Sequence, residues 1–171
     1  MRKSLIVAAI GLFAAGGASA AQLPQSADFQ VRAQVNASCR ISATDIDFTN
    51  GGTEAYDPIE GAALTANGSV DVRCNTGAVV KVRLDDGDHG TGTAADPNRF
   101  MATAGGDLLG YEIFSDSGYA TEWGAADANA VGYTSTSAAT TQSLVTYGRI
   151  PASQDVPPGD YTDMVTATIT L

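Results

Sequence analysis

The sequence of 171 residues has few of the side chains from which enzyme and metal sites are usually built. It contains one histidine, two cysteines and one tryptophan. These cannot supply a zinc-binding set of histidines and cysteines at the usual spacing, and no Gly-x-Ser-x-Gly nucleophile motif occurs. Lysine and arginine number 9 against 19 acidic residues, and the resulting net charge of −10 argues against nucleic acid as a partner. We therefore expect no enzyme, no metal site and no cofactor.

Long apolar runs are absent after the first twenty residues. Arg2 and Lys3 precede an apolar run over residues 5–15, and Ala-Ser-Ala at 18–20 forms a cleavage site of the A-x-A type. This order is typical of a secretory signal peptide and is too short for a membrane anchor. The sequence predicts that residues 1–20 are removed, leaving one exported domain of roughly 150 residues.

The two cysteines, Cys39 and Cys74, lie far apart in the sequence. An isolated pair in an exported protein is most simply one disulfide. It would close a loop of about 36 residues, which is worth about 4 kcal/mol in the chain-entropy estimate.

The last stretch of the sequence alternates strictly between apolar residues and threonine. Val165, Ala167, Ile169 and Leu171 are separated by single threonines. Because side chains on a strand point to opposite faces with period two, this pattern predicts a half-buried β-strand. The strand runs to the last residue of the sequence. If it lies beside a gap in its sheet, the missing strand must come from elsewhere, and these four residues would form an acceptor edge.

A second alternating stretch lies near the expected mature N-terminus. Phe29, Val31, Ala33 and Val35 alternate with polar residues, which predicts a free strand. Between the two ends, strand patterns recur with turn signals and without helical periodicity, and residues 49–63 read as a loop. This predicts an all-β sandwich or barrel. The expected strands are Cys39–Ile41, Ile46–Phe48, a hairpin of Val70–Cys74 with Ala78–Leu84, Arg99–Met101, Leu108–Phe114 and Leu144–Ile150.

Several polar groups invite a functional interpretation but are explained more simply. The acidic run at 85–90 lacks the EF-hand spacing, so a solvated turn is favoured over a calcium site, with His89 as a surface residue. Asp160 and Asp163 fit turn and edge-strand polarity better than a glycosidase carboxylate pair. Trp123 is expected to pack in the core or in a loop rather than to stack on a sugar.

A set of short motifs runs in order through most of the chain and resembles the spore coat protein U domain family, which is shared with subunits of archaic, Csu-type chaperone–usher pili. The matching residues are Val70-x-Val72-x-Cys74, Leu84-Asp-Asp-Gly87, Arg99-Phe-Met101, Leu109-Gly-Tyr111-Glu-Ile-Phe, Trp123-Gly124, Tyr147-Gly148-Arg-Ile150 and Gly159-Asp-Tyr161-Thr-Asp163.

The resemblance implies an incomplete immunoglobulin-like β-sandwich that lacks its last strand and is completed by donor-strand complementation. A periplasmic chaperone would fill the gap first, and the N-terminal segment of the next subunit would replace it at the outer-membrane usher. By position, Phe29, Val31, Ala33 and Val35 would be the donor residues, and Cys39 and Cys74 match the family's disulfide. The chain would then divide into a donor segment at 21–36 and a sandwich domain at 37–171.

The expected function is that of a structural subunit of a surface pilus or fimbria, exported through the periplasm to the cell surface and serving adhesion or biofilm formation. Its partners would be the chaperone, the usher and other copies of itself or related subunits. A non-polymerising spore-coat or surface-layer protein of the same fold is the first alternative, and a small surface-binding adhesin is the second.

Overall fold

The structure, a computed structural model, describes residues 24–59 and 61–171, and this part of the chain is all-β, as the sequence predicts. The proposed signal peptide at residues 1–20 lies outside the described residues. No helix long and apolar enough to cross a membrane occurs in the described part. The strands are β1 (Cys39–Thr44), β2 (Leu64–Cys74), β3 (Val79–Leu84), β4 (Arg99–Ala102), β5 (Leu108–Phe114), β6 (Val131–Thr134), β7 (Gln142–Ile150) and β8 (Ala167–Thr170).

The strands form two antiparallel sheets that enclose a single core. The five-stranded sheet has the order β1-β2-β7-β5-β4, and the three-stranded sheet has the order β6-β3-β8. Alternate residues of β2, β3 and β5 are buried, which is the pattern expected where one face of each sheet packs inward. The core includes Val72, Val82, Ile113, Trp123 and Ile150.

The predicted hairpin of Val70–Cys74 with Ala78–Leu84 is wrong. Both segments are strands, but β2 pairs with β1 and β7, whereas β3 pairs with β6 and β8 in the other sheet. The turn between them carries the chain across the sandwich, and Gly77 takes the left-handed backbone conformation there, with φ of 83°. Alternation predicts which face of a strand is buried, and both strands do bury their predicted faces against the common core.

Three further details differ from the sequence prediction. β6 was not anticipated, because four residues are too few for a clear alternation. The segment Ile46–Phe48 forms no strand, and residues 24–38 also carry none. The segment Phe29–Val35, predicted as a free strand, therefore forms no strand in the single chain that the structure describes.

The disulfide predicted from the cysteine pair is present. Cys39 and Cys74 are bonded to each other, and they are opposite one another in the register of β1 and β2. The bond fastens the first residue of β1 to the last residue of β2, and so fixes β1 at the edge of the larger sheet.

Candidate functional site

The last strand, β8, forms one edge of the smaller sheet. It pairs with β3, and no second partner strand lies beside it in the described part of the chain. Val165, Ala167 and Ile169 are half-buried against the core, whereas Leu171 is 70% exposed. The hydrogen-bonding groups on the far side of this strand are therefore available to another strand.

An open groove separates this edge from the neighbouring edge strand of the larger sheet, β1. The space has a volume of about 470 Å³, and aliphatic and aromatic side chains predominate on its surface. One wall is made by residues 43–49, and the other by Tyr161, Thr162, Asp163, Val165 and Ala167. Its floor is made by Ser69, Val70, Leu84, Met101, Tyr111, Ile113 and Thr146.

The first wall is held close to β7 by a glycine. A Cβ atom added to Gly148 would lie 2.7 Å from Cγ2 of Ile46 and 2.9 Å from Cζ of Phe48. Both distances are too short for a real contact, so these two side chains can occupy this place only because residue 148 has no side chain. Ile46 and Phe48, which were predicted as part of a strand, instead pack their side chains over Gly148 of β7.

A carboxylate fixes the end of the same wall. Asp47 Oδ1 accepts hydrogen bonds from the backbone N–H of Thr49 at 2.8 Å and from its hydroxyl at 2.6 Å, and Oδ2 accepts one from the N–H of Gly51 at 2.9 Å. These bonds favour the ionised form and lower the pKa of Asp47, with the Thr49 hydroxyl contributing most. The Asp47 carboxylate therefore stabilises the turn at residues 47–51, which begins at this end of the groove wall.

The opposite end of the groove holds a buried polar cluster around Asp163. Its side chain is 2% exposed and accepts hydrogen bonds from the Tyr111 hydroxyl at 2.5 Å, from His89 Nδ1 at 2.9 Å and from the backbone N–H of His89 at 3.3 Å. Gly87, whose φ is 80°, lies against the same carboxylate, where a Cβ atom would overlap Oδ2. The segment leading into β8 is thus anchored to both sheets.

A second buried polar residue, Arg99, lies beside this cluster. The guanidinium donates to the carbonyl of Asp85 at 3.0 Å and 2.7 Å and to the carbonyl of Trp123 at 2.8 Å. Burial lowers the pKa of Arg99, because the charged form loses solvation. Trp123 is fully buried and donates from Nε1 to the carbonyl of Val82 at 2.9 Å. Residues from five of the short motifs therefore meet in one place: Asp85, Arg99, Tyr111, Trp123 and Asp163.

These contacts correct the simpler interpretation of several polar residues. The side chain of Asp163 is buried and bonded, so turn and edge-strand polarity does not account for it. His89, expected as a surface residue, is half-exposed and is bonded to Asp163. Asp85 accepts from the N–H of Thr166 at 2.8 Å, and Asp86 accepts from the N–H groups of Gly92 and, at 2.7 Å, Asn98. Sequence reasoning missed these roles because the partners are distant in the sequence. Trp123 packs in the core, as expected.

The candidate donor residues are all exposed. Phe29 is 86% exposed, Val31 is 84% exposed and Val35 is 82% exposed, and the smaller Ala33 is exposed as well. Large apolar side chains are rarely left this open in a soluble protein unless another surface covers them. The segment therefore presents an alternating row of apolar side chains to solvent.

The family model for the Spore Coat Protein U domain matches residues 25–168. The chain belongs to this family. Protein U of Myxococcus xanthus is 31% identical over 175 aligned positions, which cover 97% of this chain and 94% of that protein. Membership confirms the resemblance that the motifs indicate.

A solved structure shares the fold. One chain of the chaperone–tip adhesion subunit pre-assembly complex from the archaic chaperone–usher Csu pili of Acinetobacter baumannii aligns with a TM-score of 0.55 and 24% identity. The alignment covers 80% of this chain and 40% of that chain, so this chain spans less than half the length of its structural relative.

Proposed function

We propose that the chain is a structural subunit of a surface pilus or fimbria that is assembled through donor-strand exchange. The observation that carries the proposal is the apolar groove between the edge strands β1 and β8. In the proposed assembly, the donor segment at 21–36 of one copy adds a strand to the sandwich domain at 37–171 of another. Strand addition of this kind takes its affinity from main-chain hydrogen bonds and its specificity from alternate side chains.

The groove and the donor segment are complementary in chemistry. Residues 29–35 place an apolar side chain at every second position, and the groove offers apolar walls with the unpaired edge of β8 beside them. Burial of Phe29, Val31 and Val35 at roughly 1.5–3 kcal/mol each would contribute about 5–9 kcal/mol. This is comparable with the net free energy of unfolding of a whole domain. The subunit would therefore be much more stable with its groove filled than with it empty.

An empty groove would also be a hazard, because an open strand edge beside apolar side chains favours aggregation. The proposal therefore includes a periplasmic chaperone that covers the groove after export and an outer-membrane usher at which the next subunit replaces it. Adhesion or biofilm formation at the cell surface is the proposed role of the finished fibre. The family membership and the fold shared with a chain from a chaperone–usher system support this assignment.

The test uses the two faces of the donor segment. Val31→Asp would place an unpaired carboxylate in the apolar groove, which is costly, whereas Arg32→Asp changes the opposite face of the same strand. We expect Arg32→Asp to form the ladder of heat-sensitive multimers seen on gels run without boiling, and Val31→Asp to remain monomeric or chaperone-bound. Deletion of residues 22–35 should also abolish multimers while leaving chaperone binding intact.

Electron microscopy of surface fibres provides a second measurement on the same variants. Equal polymerisation of Val31→Asp and Arg32→Asp, or fibres formed by the deletion variant, would contradict donor-strand exchange. Such a result would favour the coat-protein alternative, which the family description itself suggests: a spore-coat or surface-layer protein that uses the same sandwich without polymerising.

A further inference from the structure

Two arginines lie side by side on the outer face of the larger sheet. Arg40 of β1 is directly opposite Arg73 of β2, and both are exposed. Neither forms an ion pair with a carboxylate in the described part of the chain, not even with Asp71, which precedes Arg73 by two positions on the same face. Like charges directly opposite on neighbouring strands are unfavourable. The pair therefore calls for an anionic partner outside the single chain.

The lack of a partner distinguishes these arginines from the other lysines and arginines described between residues 37 and 171. Each of those forms an ion pair with an aspartate or a glutamate; they are Lys81, Arg83, Arg99 and Arg149. The sequence has 19 acidic residues against 9 basic ones, so acids are plentiful. Two cations without a carboxylate, next to each other, are therefore unusual for this chain.

Two carboxylates without a cation lie at one end of the same sheet. Asp107 ends the turn between β4 and β5. Asp160 lies beside that turn, because the backbone of Thr162 pairs with that of Ala102, the last residue of β4. Both carboxylates belong to exposed residues, and neither forms an ion pair among the residues that the structure describes. This end of the sheet is therefore acidic.

The strand register places the arginines at the other end. Glu112 of β5 pairs with Arg149 of β7, which pairs in turn with Thr65 near the start of β2. Asp107 precedes β5 and so lies beyond this level, whereas Arg73 is near the end of β2. At about 3.3 Å per residue, the length of β2 from Thr65 to Arg73 alone is about 26 Å. The larger sheet thus has one acidic end and one basic end.

The basic end is also the end at which the donor segment joins the domain. Val35 is separated from Cys39, the first residue of β1, by a connection that can span at most about 14 Å. A copy that inserts its donor segment must therefore bring its own Arg40 close to one end of the groove of the other copy. The end of the groove that holds Asp163 adjoins Asp160.

We propose that the basic end of one copy, Arg40 and Arg73, docks on the acidic end of the next copy, Asp107 and Asp160. The proposal rests on the donor-strand function proposed above and adds a second surface, outside the groove, through which two copies of this chain recognise each other. Entry of the donor segment alongside the start of β1 would instead bring the arginines of two copies together. Complementary charges of this kind mainly raise the rate of association and select one orientation.

Charge reversal in the full-length mature chain tests the contact. The measurement is the initial rate of multimer formation after dilution from urea, followed on unboiled gels at about 20 mM and about 500 mM sodium chloride, because salt screens such contacts. At low salt, Arg40→Glu with Arg73→Glu should slow the reaction at least about 10-fold. High salt should lower the rate of the unsubstituted chain but raise that of the variant, whose facing ends now repel each other. The variant keeps a like-charge pair across the strands, so its fold should be little affected.

A charge swap completes the test. Adding Asp107→Lys and Asp160→Lys to the arginine variant should restore the low-salt rate to within about 3-fold of the unsubstituted chain, since opposite charges then face each other again. The matched control adds Asp88→Lys and Asp96→Lys instead. Both of these residues are exposed in the loop before β4, so the control has the same net charge as the swap without cations at the acidic end, and it should remain slow.

The possible results separate this contact from donor-strand exchange. Equal rates for the unsubstituted chain and the arginine variant, or recovery in the control as well as in the swap, would overturn the docking of opposite ends while leaving donor-strand exchange intact. Failure of the unsubstituted chain to form multimers at either salt concentration would overturn both.

Discussion

The hydroxyl of Tyr111 donates a hydrogen bond of 2.5 Å to Oδ2 of Asp163, a residue 52 positions further along the chain. Tyr111 lies on β5 of the larger sheet, and Asp163 precedes β8 of the smaller sheet. The bond therefore connects the two layers at one end of the groove. Burial raises the pKa of Tyr111 well above its ordinary value, and the bond to Asp163 raises it further, because both disfavour the phenolate.

This shift predicts a loss of stability at alkaline pH. The pKa of Tyr111 is higher in the folded state than in the unfolded state, where it is about 10. Its contribution is therefore complete below about pH 10 and declines above it, since the unfolded chain then releases a proton that the folded chain retains. The free energy of unfolding should fall by about 1.4 kcal/mol for each pH unit in that range.

Tyr111→Phe removes this dependence. At about pH 8 the variant should be less stable than the unsubstituted protein by about 1–3 kcal/mol, because Asp163 loses a donor. Urea denaturation at a series of pH values up to about 11 would show the difference between the two proteins narrowing above pH 10. Parallel curves would mean that Tyr111 titrates at the same pH in both states.

Gly148→Ala should disturb the groove. The added methyl group must displace Ile46 and Phe48, and overpacking of this kind typically costs about 1–3 kcal/mol. Urea denaturation measures the loss, and fewer multimers on unboiled gels would show that the wall has moved. Gly132→Ala is the control, because a Cβ atom there meets nothing within 4 Å. An equal effect of both substitutions would indicate a general cost of replacing a strand glycine.

Removal of the disulfide should destabilise the domain. Replacement of Cys39 and Cys74 together by serine avoids leaving a single reactive thiol, and the expected loss is about 2–5 kcal/mol, seen as low periplasmic yield and a lower urea midpoint. Mass spectrometry of peptides prepared without reduction should first find these two cysteines joined to each other. Free thiols, or a bond between chains, would contradict the pairing.

Alternation of side chains predicted most of the buried faces, since it depends only on the geometry of an extended chain. Val70, Val72, Val80, Val82 and Leu84 all face the core as expected. Which strands pair with each other was harder to predict, because it depends on where the intervening turn directs the chain. The turn ending at Gly77 resembles a hairpin connection in sequence, yet it carries the chain into the other sheet.

The polar cluster could not be predicted from local patterns. Asp163 follows a turn-like stretch, and only the fold brings it to Tyr111 and His89. Tyr111 and Asp163 each lie in a motif that carries the family resemblance, but the two motifs are separate in the sequence and gave no sign that the residues are in contact.

The position of the disulfide has a mechanical consequence for a fibre built in the proposed way. A pull on the donor segment reaches the folded domain through Ser38, which exchanges hydrogen bonds with Asn75, and then arrives at Cys39. From there the covalent bond to Cys74 passes the tension directly into β2, which is paired on both sides. The hydrogen bonds between β1 and β2 therefore carry little of the load. A subunit under tension keeps β1 in place, and with it one wall of the groove that would bind the donor segment of the neighbouring subunit.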